Sequence, residues 1–238
     1  MPTTTELVEY SHRGDTLEAY VAHDGSDGVK PCVLICHAWA GRSEHEEAIA
    51  GLLATLGYVG FALDVYGKGV LGASTEENQK LMSPFLEDRA MLQDRLKAAL
   101  SAAQDLGFVD PGKVAVSGYC FGGLCALDMA RSGADIKGAA AFHGLFNKPG
   151  NTDDNRIDAK IICFHGWDDP MAKPDDVLNF TEEMNSAEAD WQIQAFGNTM
   201  HAFTNKGAND PDFGTVYSPT ADARSWATFQ NFLTELFG

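Results

Sequence analysis

Six short apolar runs punctuate the chain: "PCVLICHAW", "YVGFALDVY", "KVAVSGY", "IKGAAAFHG", "AKIICFHG" and "DWQIQAFG". They are too continuously apolar to keep one face in water. A strand with no wet face belongs inside a sheet covered on both sides, and such sheets are mostly parallel. Between most of these runs lie stretches with apolar residues at helical spacing, so strands and helices alternate. The spacing predicts an α/β fold with a mostly parallel central sheet and helices on both faces.

The remaining elements follow from local signals. "TELVEYS" and "TLEAYVAHD", joined through "HRGD", read as an antiparallel N-terminal strand pair. "EHEEAIAGLLATLG" is a helix closed by Gly57, and "GKGVLGAS" is a Gly-rich loop. Pro84 is expected to open a long helix through "MLQDRLKAALSAAQDLG". A polar loop "NKPGNTDDNRID" precedes "AKIICFHG", Pro174 begins a helix ending near Ala189, and "DWQIQAFG" is the last strand before a terminal helix. No repeat or linker interrupts the 238 residues, so residues 1–238 are expected to form one domain.

Composition narrows the function classes. Seventeen basic against 34 acidic residues leave a formal charge of −17, spread along the chain, and nucleic-acid phosphates would be repelled. No apolar run approaches the roughly 20 residues needed to cross a bilayer, and "MPTTTELVEYSHRGD" lacks a basic, then apolar, secretory leader. A cytoplasmic protein with no membrane partner is expected. The five cysteines, Cys32, Cys36, Cys120, Cys125 and Cys163, include no CxxC pair. This favours reduced thiols and gives no support to a metal site.

One cysteine stands apart. "SGYCFGG" joins the run "KVAVSGY" to a helix-like stretch and spells Gly118-Tyr119-Cys120-Phe121-Gly122, the thiol counterpart of the GxSxG nucleophile elbow. The residue at the centre of such a turn is strained, and small neighbours two positions away let strand and helix approach. A helix N-terminus also favours a thiolate and can cradle an oxyanion. Gly-rich strand-to-helix turns serve phosphate binding as well, and most buried cysteines only pack. Partners separate these readings, because a thiol nucleophile needs a base and the base an orienting acid.

In α/β hydrolases the chain order is nucleophile, acid, base. "FHGWDDP" offers Asp168 and Asp169 after one strand, and "FGNTMHAF" offers His201 after the last. Each follows the carboxyl end of a predicted strand, so all would gather on one sheet edge. A Cys120, Asp169, His201 triad results, with Asp168 as the rival acid. His37, His143 and His165 also end strands but lack a correctly ordered acid, and are read as pocket or support residues.

The chain resembles the dienelactone hydrolase family, cysteine-dependent members of the α/β-hydrolase fold. The likeness spans nearly the whole chain and rests on "GYCFGG", "HGWDDP" and "HAFTN" in the family's order, with "DVYGKG" earlier. It implies Cys120 as nucleophile, His201 as base, Asp169 as acid, and the backbone N–H groups of Phe121 and Trp39 as oxyanion donors. It also implies where substrate is handled. The best-known members restrain the resting cysteine with a glutamate at the position of Ala38, and bind a substrate carboxylate with arginines at the positions of Lys68 and Asn205. Here an ammonium and a neutral amide replace two guanidinium forks, a weaker carboxylate clamp. Arg42 and Lys206 are further cations near these loops.

The expected function is hydrolysis of small carboxylic esters or lactones through a thioester, by a monomer or homodimer, with no cofactor. The alternatives are a broad esterase with side activity on activated phosphotriesters, a non-catalytic ligand-binding protein, and a redox sensor using Cys120.

Overall fold

The computed structural model describes residues 3–152 and 155–238; Asp153 and Asp154, in the polar loop read from the sequence, lie outside the described residues. One eight-stranded sheet dominates, and its strands are β1 (Thr4–His12), β2 (Asp15–His23), β3 (Lys30–Cys36), β4 (Val59–Ala62), β5 (Val109–Tyr119), β6 (Gly138–Phe142), β7 (Lys160–Gly166) and β8 (Trp191–Phe196). Their order is β1-β2-β4-β3-β5-β6-β7-β8. The pair β1 and β2 is antiparallel, β2 meets β4 antiparallel, and every pairing from β4 through β8 is parallel. The expected architecture is present.

Alternation along β3 shows why the runs are apolar on both sides. Cys32, Leu34 and Cys36 enter one core, while Val33 and Ile35 enter the other. The first core is closed by α2 (Thr75–Glu87), α3 (Arg89–Gln104), α4 (Phe121–Arg131) and α5 (Pro174–Ser186), and the second by α1 (Glu44–Thr55) and α6 (Pro219–Phe237). Among the described residues no helix is long and apolar enough to cross a membrane.

Three local expectations are corrected. Pro84 does not open the long helix. It lies inside α2, which Ser74 caps by accepting from the Glu77 N–H at 3.2 Å. Proline removes one intrahelical donor, α2 stops three residues later, and the Asp88 side chain starts α3 by accepting from Met91 N–H at 2.9 Å. The run "YVGFALDVY" is strand only over Val59–Ala62, because Asp64 Oδ1 accepts from Tyr66 and Gly67 N–H at 2.9 and 3.0 Å and turns the chain. Finally, β8 is the last strand of the large sheet but not of the chain: β9 (Asn209–Asp210) pairs with β10 (Thr215–Val216).

Helix α4 is buried at every position, including Asp128 and Arg131. Asp128 accepts from Arg89 at 2.6 Å through each oxygen and from Arg131 at 3.4 Å. Arg131 also holds Glu183 on α5 and the Phe146 carbonyl, at 2.7 and 2.9 Å. Removing one member leaves buried charge unanswered, a loss of about 3–5 kcal/mol. Asp128→Ala is therefore expected to lower the urea midpoint by that much stability, while Lys137→Ala, whose ion pair is exposed, stays within about 1 kcal/mol of wild type.

Candidate active site

The site is built at the carboxyl ends of β5, β7 and β8. Between β5 and α4 the chain turns at Cys120, with φ 59° and ψ −116°. That backbone costs a non-glycine residue about 1–3 kcal/mol. The neighbours explain how it persists: a Cβ on Gly118 would overlap the Gly122 carbonyl, and one on Gly122 would overlap the Cys36 carbonyl. Strand and helix touch backbone to backbone. Cys120 N–H donates to the Phe142 carbonyl at 3.0 Å, tying the turn to β6. The N–H of Phe121, first in α4, has no acceptor among the described residues and points beyond the helix end.

Asp169 follows β7 in a turn closed by its own N–H to the Gly166 carbonyl at 3.1 Å. The neighbouring acids separate sharply. Asp169 is buried, whereas Asp168 is exposed with its N–H on the Thr199 carbonyl at 2.9 Å. Asp169 Oδ1 accepts from Met171 N–H at 2.8 Å, and Oδ2 accepts from His201 Nδ1–H at 2.7 Å. His201 is gripped by the loop beyond β8: its N–H donates to Gly214 O at 3.0 Å and its carbonyl accepts from Val216 at 3.1 Å. Its Nε2 is buried and has no protein hydrogen-bond partner among the described residues. Burial pushes the imidazole toward neutrality, but the charge of Cys120 and the bond to Asp169 outweigh it and push the His201 pKa up to about 10.

Cys120 and His201 open onto a cavity of about 670 Å³ whose wall includes Ala38, Trp39, Glu46, Tyr119, His143, Asn205 and Phe213. Trp39 stacks on Phe213 with ring centroids 5.9 Å apart, its carbonyl accepts from Tyr66 Oη at 3.0 Å, and its N–H has no acceptor among the described residues. Ala38 and Asn205 therefore reach the cavity, and Lys68 does not. Its ammonium is held by Glu9 and, at 2.9 Å, by Glu18, on the β1–β2 edge of the sheet. The structure places Lys68 in this ion pairing, outside the wall of the Cys120 cavity. Arg42 is likewise engaged, by Glu18 at 3.1 Å and Glu47 at 2.5 Å. Lys206 lines a neighbouring cleft of about 520 Å³ instead. No lysine or arginine lines the Cys120 cavity among the described residues.

The other histidines fall into supporting positions. His37 donates from Nδ1 to the Ala38 carbonyl at 2.7 Å and accepts at Nε2 from Val65 N–H at 3.1 Å, a brace between two loops, and burial holds it neutral. His143 lies 2.8 Å from Thr204 Oγ1 through Nε2, and burial with the nearby His201 lowers its pKa well below the usual range. His165 sits beneath Phe146, also lowered by burial. Sequence reasoning missed Glu46. It reaches the cavity from α1, and the one signal for it is its spacing from Ser43, the capping box that starts the helix. Among the described residues no group of three or more acidic, His or Cys side chains forms a metal cluster.

The sequence profile of the Dienelactone hydrolase family matches residues 17–237. The chain belongs to that family. A solved structure, the "Dienelactone Hydrolase-like Promiscuous Phospotriesterase P91 from Metagenomic Libraries", superposes with TM-score 0.95 at 31% identity and full coverage of both chains. A curated relative from Aquifex aeolicus, "Putative carboxymethylenebutenolidase", is 29% identical over 95% of this chain and 96% of its own. A third likeness, to the α/β hydrolase MGS-M1 from a deep-sea metagenome library, has TM-score 0.68, 19% identity and 98% coverage of both chains, and speaks for the fold. The protein is a dienelactone hydrolase-like hydrolase of α/β-hydrolase fold.

In this family member the elevated His201 value has a direct check. The imidazole is expected to stay protonated through neutrality and to lose its proton only as pH rises toward about 10, followed by NMR of its ring protons. Cys120→Ser removes the neighbouring charge that holds the His201 pKa up, burial then dominates, and the titration is expected to move to lower pH.

Proposed function

We propose that the protein hydrolyses small carboxylic esters and lactones through a thioester on Cys120. The observation that carries this reading is the Asp169–His201 hydrogen bond of 2.7 Å, made beside a cysteine held at positive φ on a helix N-terminus. The Cys120 thiolate attacks the carbonyl carbon, forming the C–S bond while the carbonyl π pair moves to oxygen. That oxyanion is received by the free N–H groups of Phe121 and Trp39. On collapse the C–O bond to the alcohol breaks, and the His201 imidazolium gives its proton to the departing oxygen. Neutral His201 then takes a proton from water, hydroxide adds to the thioester carbon, and collapse releases the acid and restores the thiolate and imidazolium. Asp169 fixes the tautomer and orientation of His201 in both halves.

The same cavity supports a preference for uncharged substrates, since among the described residues no lysine or arginine lines it to pair with a carboxylate. A second reading draws on the likeness to a promiscuous phosphotriesterase. Donors set for a tetrahedral carbon oxyanion also serve the phosphoryl oxygen of a neutral triester, so slow attack on activated phosphotriesters is a side activity of the same thiolate. Its turnover is limited by hydrolysis of the thiophosphate.

Cys120→Ala is expected to abolish 4-nitrophenyl acetate hydrolysis by several orders of magnitude, with an unchanged circular dichroism spectrum. Retention of most activity would refute the thioester route. Asp169→Asn is expected to cut kcat by on the order of 1,000-fold or more, and Asp168→Asn by less than about threefold. The opposite ranking would reassign the acid. With paraoxon, a burst of one 4-nitrophenolate per Cys120 followed by a slower steady rate is expected, and its absence would remove the phosphotriester reading.

A further inference from the structure

Helix α1 begins with a capping box in which Glu46 Oε2 accepts from Ser43 N–H at 2.9 Å and from Ser43 Oγ at 2.8 Å. On a surface helix that would be its whole role. Here Glu46 is only 1% exposed and lies on the wall of the cavity that also holds Cys120 and His201. Its other oxygen, Oε1, faces the Ala38 N–H at 3.4 Å, behind the loop that carries Trp39. All three groups around the carboxyl are donors.

Buried carboxylates are ordinarily paired with a cation. Among the described residues no ion pair reaches Glu46, because Arg42 is engaged by Glu18 and Glu47, and Lys68 by Glu9 and Glu18. Its nearby ring, His37, is held neutral by burial. Asp169 is answered by His201, whereas Glu46 is answered only by dipoles: the N-terminus of α1 and three hydrogen-bond donors. Its field therefore enters a cavity that has no lysine or arginine on its wall among the described residues.

We infer that Glu46 is a specificity-determining residue whose unpaired carboxylate turns away substrates with an anionic acyl group and leaves the Cys120 site to uncharged and cationic esters. This rests on the hydrolase reading above and narrows its substrate class. An acyl carboxylate entering the cavity loses its water and meets a charge of its own sign. For unit charges roughly 8–10 Å apart at an effective dielectric near 20, the penalty is on the order of tenfold or more in kcat/KM.

The test uses three phenyl esters of one rigid trans-enoic frame: phenyl crotonate, monophenyl fumarate and phenyl 4-(trimethylammonio)crotonate. They place a methyl group, a carboxylate and a quaternary ammonium at the same end, and each kcat/KM is divided by that ester's hydroxide rate. The wild type is expected to favour the neutral and cationic esters over the fumarate by on the order of tenfold. Glu46→Gln is expected to bring the fumarate-to-crotonate ratio close to one, while Glu46→Asp, which keeps the charge, retains the discrimination. A wild type that cleaves all three alike overturns the inference, and so does a Glu46→Gln enzyme with the wild-type ratio. A purely structural capping role would slow all three esters equally and leave that ratio fixed. Should Glu46→Gln fail to fold, the wild-type order and the Glu46→Asp ratio decide. A wild type that cleaves none of the esters overturns the hydrolase reading itself.

Discussion

Backbone contact between Gly118 and Gly122, with Gly122 in turn against Cys36 and His37, governs the reactive edge of this molecule. A single methyl group at either glycine would push α4 away from β3 and β5. The turn between them would then relax, and Cys120 would leave φ 59°. The strain of that conformation is held by what lies beneath it. Helix α4 is packed on all sides, and its buried Asp128 and Arg131 tie it to α3, α5 and the Phe146 loop. Burial of a whole helix outweighs about 1–3 kcal/mol of local strain. The position of Cys120 is thus a property of the core, expressed at its surface.

Asp169 and His201 depend on a different device. Neither Asp169 nor His201 sits on a strand. Both lie in loops joined directly to each other: Trp167 N–H donates to the Phe196 carbonyl at 2.8 Å, and Asp168 N–H to Thr199 at 2.9 Å. A Cβ on Gly166 would come within 2.5 Å of the Thr199 carbonyl, so glycine is what allows the two loops to lie together. The β9–β10 hairpin then holds His201 from the far side through Gly214 and Val216. The Asp169–His201 distance follows from these backbone ties, which explains why two side chains distant in sequence meet at 2.7 Å.

Much of this was legible in the sequence where a signal was local and periodic. Strand identity, the antiparallel N-terminal pair and the elbow came from residue patterns that steric rules make nearly unique. The choice between Asp168 and Asp169 was not settled by pattern, since adjacent turn residues diverge, and only the fold buries one and exposes the other. Pro84 reads as a helix start because proline is favoured in a first turn, yet it lies inside α2, three residues before that helix ends. The ion pairs of Lys68 are not legible in its loop, because Glu9 and Glu18 come from strands far earlier in the chain. Glu46 was hidden for the same reason: a capping box is a local motif, and its proximity to a cavity is a tertiary fact.

Tertiary packing also sets one of the chain's five thiols apart from the other four. Cys32, Cys36, Cys125 and Cys163 are buried, and desolvation raises the pKa of each, so they persist as inert thiols. Cys120 alone among the five is partly exposed, and it alone shares the cavity wall with His201. The parallel sheet produces this division without any special device. Strand interiors place alternate residues in one core or the other, and only the turn beyond a strand's carboxyl end escapes both. A thiol at residues 32, 36 or 163 lies within a strand, and Cys125 lies one turn into a buried helix. Desolvation of a thiol is therefore set by its position relative to the strand ends, so a cysteine moved from 120 into the adjoining strand would be buried as the other four are and its pKa raised like theirs.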